Sequence, residues 1–305
     1  MNVDLVFEGG GILGVSFGGA YEALSKKGYV VRRSAGTSAG SIISSLIVAG
    51  YKWEELLKII KVTDFSQFLD KTKLSKLGFI GKILSIIYNK GIYRIEVVEK
   101  WVEDLLARKG IRTFKDVMVN NESRLKIVAA DITDRKLLIF PDDCTYYGIK
   151  SEDFKIAKAV AMSCSIPLFY TPIKMKKEER INYIVDGGLV STFPIWIFDV
   201  EGTPQYPTFG IKIKDPISYS SIGKVGIISY IKDLINASLN KEETRFLRDE
   251  DLVRTIVIDF DNKNKAIDLD INRSRIEYLY KCGFTSTDTF LKKWNFIEYV
   301  KRYRL

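Results

Sequence analysis

Ser38 stands in Gly36-Thr37-Ser38-Ala39-Gly40, the spacing G-x-S-x-G. Glycines two residues either side of a serine remove the side chains that would clash on a sharp strand-to-helix turn. Such a turn exposes the hydroxyl at a helix N-terminus, where partial positive charge favours a developing anion. The same residues also suit a plain serine N-cap.

A serine nucleophile needs a base, and the chain contains no histidine. That excludes Ser-His-Asp and Cys-His chemistry and histidine-ligated zinc, and leaves a carboxylate, a lysine or a tyrosine to take the proton. Asp186 is a candidate. It closes the apolar run INYIV at 181–185 and is followed by Gly187 and Gly188. An aspartate at a strand end could accept the Ser38 proton directly, provided its surroundings raise its pKa. Taken alone, Asp-Gly-Gly also reads as an Asx turn.

Glu8-Gly9-Gly10-Gly11-Ile12-Leu13-Gly14 follows the first apolar run. Bare N–H groups at Gly10 and Gly11 could hold a tetrahedral oxyanion, and one such donor is worth about 3–4 kcal/mol of barrier. The spacing of Gly9, Gly11 and Gly14 also satisfies the dinucleotide fingerprint. That second reading expects an acid at the end of the next strand. Residues 30–35, VVRRSA, have none, so only an NADP site served by Arg32 and Arg33 fits.

The elements that must position these groups alternate. Residues 3–7 read as a buried strand, 15–27 as a helix stopped by Gly28, 29–34 as a strand and 39–51 as a helix. This alternation predicts a parallel sheet covered on both faces. Residues 52–109 look mostly helical. Strands follow at 124–131, about 135–140 and 181–185, with a short helix at 153–164 between them. Later strands fall at 207–213 and 253–260, a helix at 221–248, and one or two closing helices at 272–303. No repeat or low-complexity linker divides residues 1–305, which read as one domain with a helical excursion over about 60–110 and closing helices over about 265–305.

The ordered set of G-G-G turn, G-T-S-A-G and D-G-G resembles the patatin-like phospholipase family. The segments AADITDRKLLIF (129–140), AVAMSCSIPLFYTPI (159–173) and DGGLVSTFPI (186–195) extend the resemblance over most of the chain. The resemblance implies a three-layer α/β/α fold with a mostly parallel central sheet. It implies a Ser38–Asp186 dyad, oxyanion donors at Gly10, Gly11 and Ala39, and motif glycines at Gly9, Gly14, Gly36, Gly40, Gly187 and Gly188. No cofactor and no catalytic metal are expected. The implied substrate is a phospholipid or another acyl-ester lipid; an acyltransferase on the same dyad and a catalytically weak lipid-binding relative are the alternatives. Leu13 departs from the family, which often carries Arg or Lys there to help hold the oxyanion.

The formal net charge of +9 fits an anionic lipid surface or a lysine-rich solvated one. No nucleic-acid module is recognisable. Residues 71–94 mix lysines with apolar residues and are expected to lie in a membrane interface as a lid or docking lobe over Ser38, or else to pack on the core. No apolar run of about 18 residues predicts a spanning helix, and the start of the chain does not read as a signal peptide. Three scattered cysteines suggest a reducing cytoplasm, and a lipid substrate implies transient contact with a membrane surface.

Overall fold

A computed structural model describes residues 1–214, 247–260 and 269–305 of the protein. Strand β1 (Asn2–Phe7) is buried from Val3 onward and leads through the glycine turn into helix α1 (Val15–Lys26). Gly28, at φ +80°, ends that helix as its position in the sequence predicts. Strand β2 (Val30–Thr37) and helix α2 (Ala39–Val48) flank Ser38. Helices α3 (Trp53–Val62), α4 (Gly78–Asn89) and α5 (Glu96–Ala107) follow, with a short strand β3 (Gly91–Tyr93) before α5.

The second half begins with a small hairpin of β4 (Met118–Val119) and β5 (Glu122–Ser123). Then come β6 (Leu125–Asp131), β7 (Lys136–Phe140), α6 (Ile156–Cys164), β8 (Leu168–Tyr170), β9 (Ile173–Lys177) and β10 (Arg180–Asp186). Strands β11 (Thr208–Ile213) and β12 (Thr255–Ile258) precede the closing helices Arg273–Leu291 and Phe296–Tyr303. The helix expected over 221–248 falls outside the described residues, apart from 247 and 248, which are not helical.

The main sheet runs β12-β11-β1-β2-β6-β10-β9, with β7 also paired to β6. Pairing is parallel from β12 to β6, as the strand–helix alternation predicts. It is antiparallel for β7, β10 and β9. Both faces are covered. On one, α1 and the helix Arg273–Leu291 approach backbone to backbone at Gly19 and Gly283, where a Cβ would sit 1.9 Å and 1.8 Å from the opposing carbonyl oxygens. On the other, Val6 and Ala35 pack on Phe198, and Gly210 lies under Phe193 and Ile195.

Two sequence expectations are corrected. Strands β8 and β9 were not anticipated, because LFY and IKMKK are too short and too lysine-rich to carry a clear alternation. The NADP reading also fails. β2 extends to Thr37, so Arg32 and Arg33 lie near its start, opposite the first residues of β1 and far along the strand from the glycine turn. Arg33 is moreover bound to the buried Asp4 carboxylate, with its Nε 3.0 Å from Oδ2, and stacks on Phe198. Arg32 stacks on Tyr206.

Candidate active site

Strand β6 brings the two candidate residues, Ser38 and Asp186, together. Its positions 125–128 pair with β2, ending at Thr37↔Val128. Its positions 129–131 pair with β10, ending at Asp186↔Ala129. Because β7 occupies the opposite edge over 127–131, β2 and β10 share one edge of β6. They meet there end to end, β2 running parallel to β6 and β10 antiparallel. A wholly parallel sheet, as the alternation predicts, would bring Asp186 in on another parallel strand; β10 arrives from the opposite direction instead. Ser38 follows Thr37 at once, so the hydroxyl and the carboxylate flank one junction.

The turn at Ser38 is enforced by contact. Ser38 has φ 52° and ψ −124°, a region that costs a non-glycine residue about 1–3 kcal/mol. A Cβ on Gly36 would lie 2.3 Å from the Gly40 carbonyl carbon, and one on Gly40 would lie 2.4 Å from Phe7 O. Both glycines of the motif are therefore required by close backbone approach. The strain is held by Ser163, whose Oγ accepts the Ser38 N–H at 2.8 Å and donates to Val128 O at 2.6 Å. Ser163 lies on α6 and is fully buried. It was not singled out from the sequence; the Ser163-Cys164-Ser165 run ahead of Pro167 was the available signal.

The loop after β10 is stitched to both other motifs. Gly9 N–H donates to Thr192 O at 3.0 Å, and Thr37 Oγ1 donates to Ser191 O at 3.2 Å. Asp186 N–H donates to Ser165 O at 2.9 Å, while the Gly188 N–H donates to Asp186 Oδ1 at 2.7 Å. Gly187 lies against the Val128 carbonyl. Asp186 is fully buried, and its second oxygen, Oδ2, has no hydrogen-bond partner. Burial pushes its pKa up to about 6; the Gly188 N–H and the nearby Ser38 hydroxyl, which stops short of a formed hydrogen bond to Oδ2, pull the other way.

Gly11, at φ +53°, bends the first turn into a short 3-10 segment, Gly11–Gly14, from which α1 starts. The start of α1 at Gly14 abuts Ala39 at the start of α2. Among the described residues, the N–H groups of Gly10, Gly11 and Ala39 donate to no protein acceptor. Glu8 and Lys212, a buried pair 2.7 Å apart, lock the base of this turn to β11; Glu8 also accepts from Ile213 N–H at 2.7 Å. Neither was anticipated as part of the site.

A cavity of about 130 Å³ opens from Ser38, Ala39, Gly11 and Gly14. Its walls are apolar, built by Ile42, Ile43 and Leu46 of α2, Leu56, Ile59 and Ile60 of α3, Val98 and Trp101 of α5, and Phe169 and Tyr170 of β8. No charged side chain lines it among the described residues, so Leu13, which is buried beside it, has no cationic substitute in the lining. Residues 71–94 contribute nothing to these walls. The part of the expected helical excursion that borders the cavity is the segment Phe65–Phe68 and α5, beside α3, and not residues 71–94. Cys164 faces the cavity, and burial together with the Asp186 charge raises its thiol pKa far above the ordinary range, which keeps it protonated and unreactive. No cluster able to hold a metal ion occurs among the described residues, and no helix among them is long and apolar enough to cross a membrane.

Comparison with known proteins points one way. Residues 5–199 match a family model described as patatin-like phospholipase. An uncharacterized Bacillus subtilis protein, YqhO, is 33% identical over 97% of this chain and 100% of its own length. A probable lipid hydrolase of Invertebrate iridescent virus 6, 463L, is 30% identical over 63% of this chain and 61% of its own. Among solved structures, VipD from Legionella pneumophila aligns over 95% of this chain with a TM-score of 0.53 at 15% identity. The alignment spans 66% of VipD, so it establishes a shared fold within a longer protein.

Proposed function

The chain belongs to the patatin-like phospholipase family, and on that premise we propose that it is a lipid acyl hydrolase working through Ser38 and Asp186. The observation that carries this reading is the end-to-end meeting of β2 and β10 on one edge of β6, which sets a strained serine beside a buried carboxylate. The mechanism follows from the groups present. Ser38 Oγ attacks the ester carbonyl as its proton passes to Asp186 Oδ2, the oxygen with no other partner. The tetrahedral oxyanion is held by the N–H groups of Gly10 and Gly11, with Ala39 N–H at the start of α2 adding the field of the helix terminus.

Asp186 then returns the proton to the departing alcohol, the lyso-lipid when the substrate is a phospholipid. The acyl group stays on Ser38 with its chain in the apolar cavity. Water gives a proton to Asp186 and its oxygen attacks the acyl carbonyl. Collapse frees the fatty acid and restores the serine. A carboxylate with pKa near 6 suits this work, since it is charged at neutral pH yet less feeble a base than an ordinary aspartate.

The test is mass-spectrometric product analysis on mixed phospholipid vesicles and on a dispersed short-chain ester. Wild type should release free fatty acid, label with a fluorophosphonate and lose both properties in Ser38→Ala. Fatty acid release by the Ser38→Ala protein at the wild-type rate would remove the reading.

A further inference from the structure

The helix α4 is turned inside out. Its inward side carries the small and polar residues Gly81 and Ser85. A Cβ on Gly81 would lie 2.1 Å from Leu74 O. Ser85 Oγ hydrogen-bonds Thr72 Oγ1 at 2.6 Å and donates to Gly91 O at 2.6 Å. Five large apolar residues are left outside: Leu77, Phe79, Ile80, Ile87 and Tyr88 are each 61–71% exposed, while Ile83, Leu84 and Ile86 are half-buried. A contiguous group of this kind on a water-soluble surface marks a contact site.

The charge around the helix says what kind of contact. Residues 71–94 contain six basic residues and no acidic one. Lys71, Lys73, Lys76, Lys82 and Lys90 form no ion pair among the described residues, and Arg94 is taken by Asp70. The Lys90 ammonium lies over the Tyr183 ring, and Tyr183 pairs in register with the exposed Lys174 of the edge strand β9, so the positive surface continues beyond the helix. An apolar stripe rimmed by lysines without acids is complementary to one partner chemistry, a bilayer with anionic headgroups.

The helix is also coupled to the cavity. α4 leads directly into β3, which pairs with β8, and Phe169 and Tyr170 of β8 form part of the cavity wall. The Tyr93 and Phe169 rings meet at 4.8 Å across that ladder.

We propose that α4 and the lysines around it form a docking face for anionic membranes, which seats the cavity mouth against the lipid from which the acyl chain is drawn. The inference rests on the lipid-hydrolase reading for its purpose, but docking itself is measured without catalysis.

The experiment floats Ser38→Ala protein with vesicles of phosphatidylcholine alone and of phosphatidylcholine mixed with phosphatidylserine. Binding should favour the mixed vesicles, weaken as salt is raised and fall at least tenfold in the pair Ile80→Glu/Ile87→Glu. The pair replaces exposed side chains, so circular dichroism and hydrolysis of a dispersed short-chain ester by the otherwise wild-type enzyme should be unchanged. Lys73→Glu/Lys76→Glu should abolish the preference for phosphatidylserine. Equal flotation after Ile80→Glu/Ile87→Glu, or no preference for anionic lipid in the Ser38→Ala protein, overturns the proposal. So does concentration-dependent self-association in sedimentation that these substitutions abolish, which would assign the face to a second copy. Loss of ester hydrolysis in Ser38→Ala reports on the active site alone, so the two readings fail separately.

Discussion

The Ser38 backbone is held by Ser163 through a two-bond relay, Ser38 N–H to Ser163 Oγ and Ser163 O–H to Val128 O, both inside the protein. The relay ties the strained turn of the proposed nucleophile to β6, the strand that also receives Asp186. Ser163→Ala leaves a buried donor and a buried acceptor unpaired, which costs about 1–3 kcal/mol. Denaturant titration should show that loss, and kcat/KM on a dispersed ester should fall about tenfold or more, because the hydroxyl of Ser38 loses its fixed direction.

The pH profile should follow Asp186. Its pKa stands at about 6, raised by burial, and only the charged form can take the Ser38 proton. Below about pH 6, kcat/KM should therefore rise about tenfold per pH unit and flatten above. A pH-independent rate across that interval, measured on an ester whose own hydrolysis does not titrate there, would contradict Asp186 as the base.

The same shift affects stability with a definite sign. A raised carboxyl pKa means the folded state binds the proton more tightly than the unfolded chain. The contribution is whole below the unfolded value near pH 4 and is lost as pH rises through about 6, by about 3 kcal/mol in all. Asp186→Asn cannot titrate. Urea midpoints of wild type should thus fall relative to Asp186→Asn between about pH 4 and pH 8, while the variant is inactive throughout.

Gly40 cannot carry a side chain without moving β1 or α2, since a Cβ would meet the carbonyl oxygens of Phe7 and Glu8 at 2.4 and 2.6 Å. Gly40→Ala is expected to destabilise by about 3 kcal/mol or more and to abolish ester hydrolysis. A normal melting temperature with retained activity would show that the turn is looser than its contacts imply.

If the apolar cavity holds the acyl chain as proposed, its depth should limit acyl length. Ile59 of α3 is half-buried on its wall. Ile59→Trp should reduce kcat/KM for long-chain esters about tenfold and leave short-chain esters within about twofold, read from a series of esters of increasing length. Equal losses at every length would place the acyl chain elsewhere.

The sequence by itself determined what local chemistry controls. The missing histidine restricts the possible base. The glycines around Ser38 and the apolar runs read at 3–7, 124–131 and 207–213 follow from close approach and burial, and these leave a mark at fixed short spacing. The strand–helix alternation was enough for a mostly parallel sheet. Only the tertiary structure decided how β10 enters, antiparallel and head-on to β2, because pairing direction depends on partners distant in sequence. It decided that Arg33 answers Asp4, and that the 3.6-residue pattern of α4 turns its apolar face outward. A helical period marks a stripe but not which side meets the protein. Here Gly81 and Ser85 allow the closer approach to Leu74 and Thr72, so they face inward and Phe79, Ile80, Ile87 and Tyr88 remain outside.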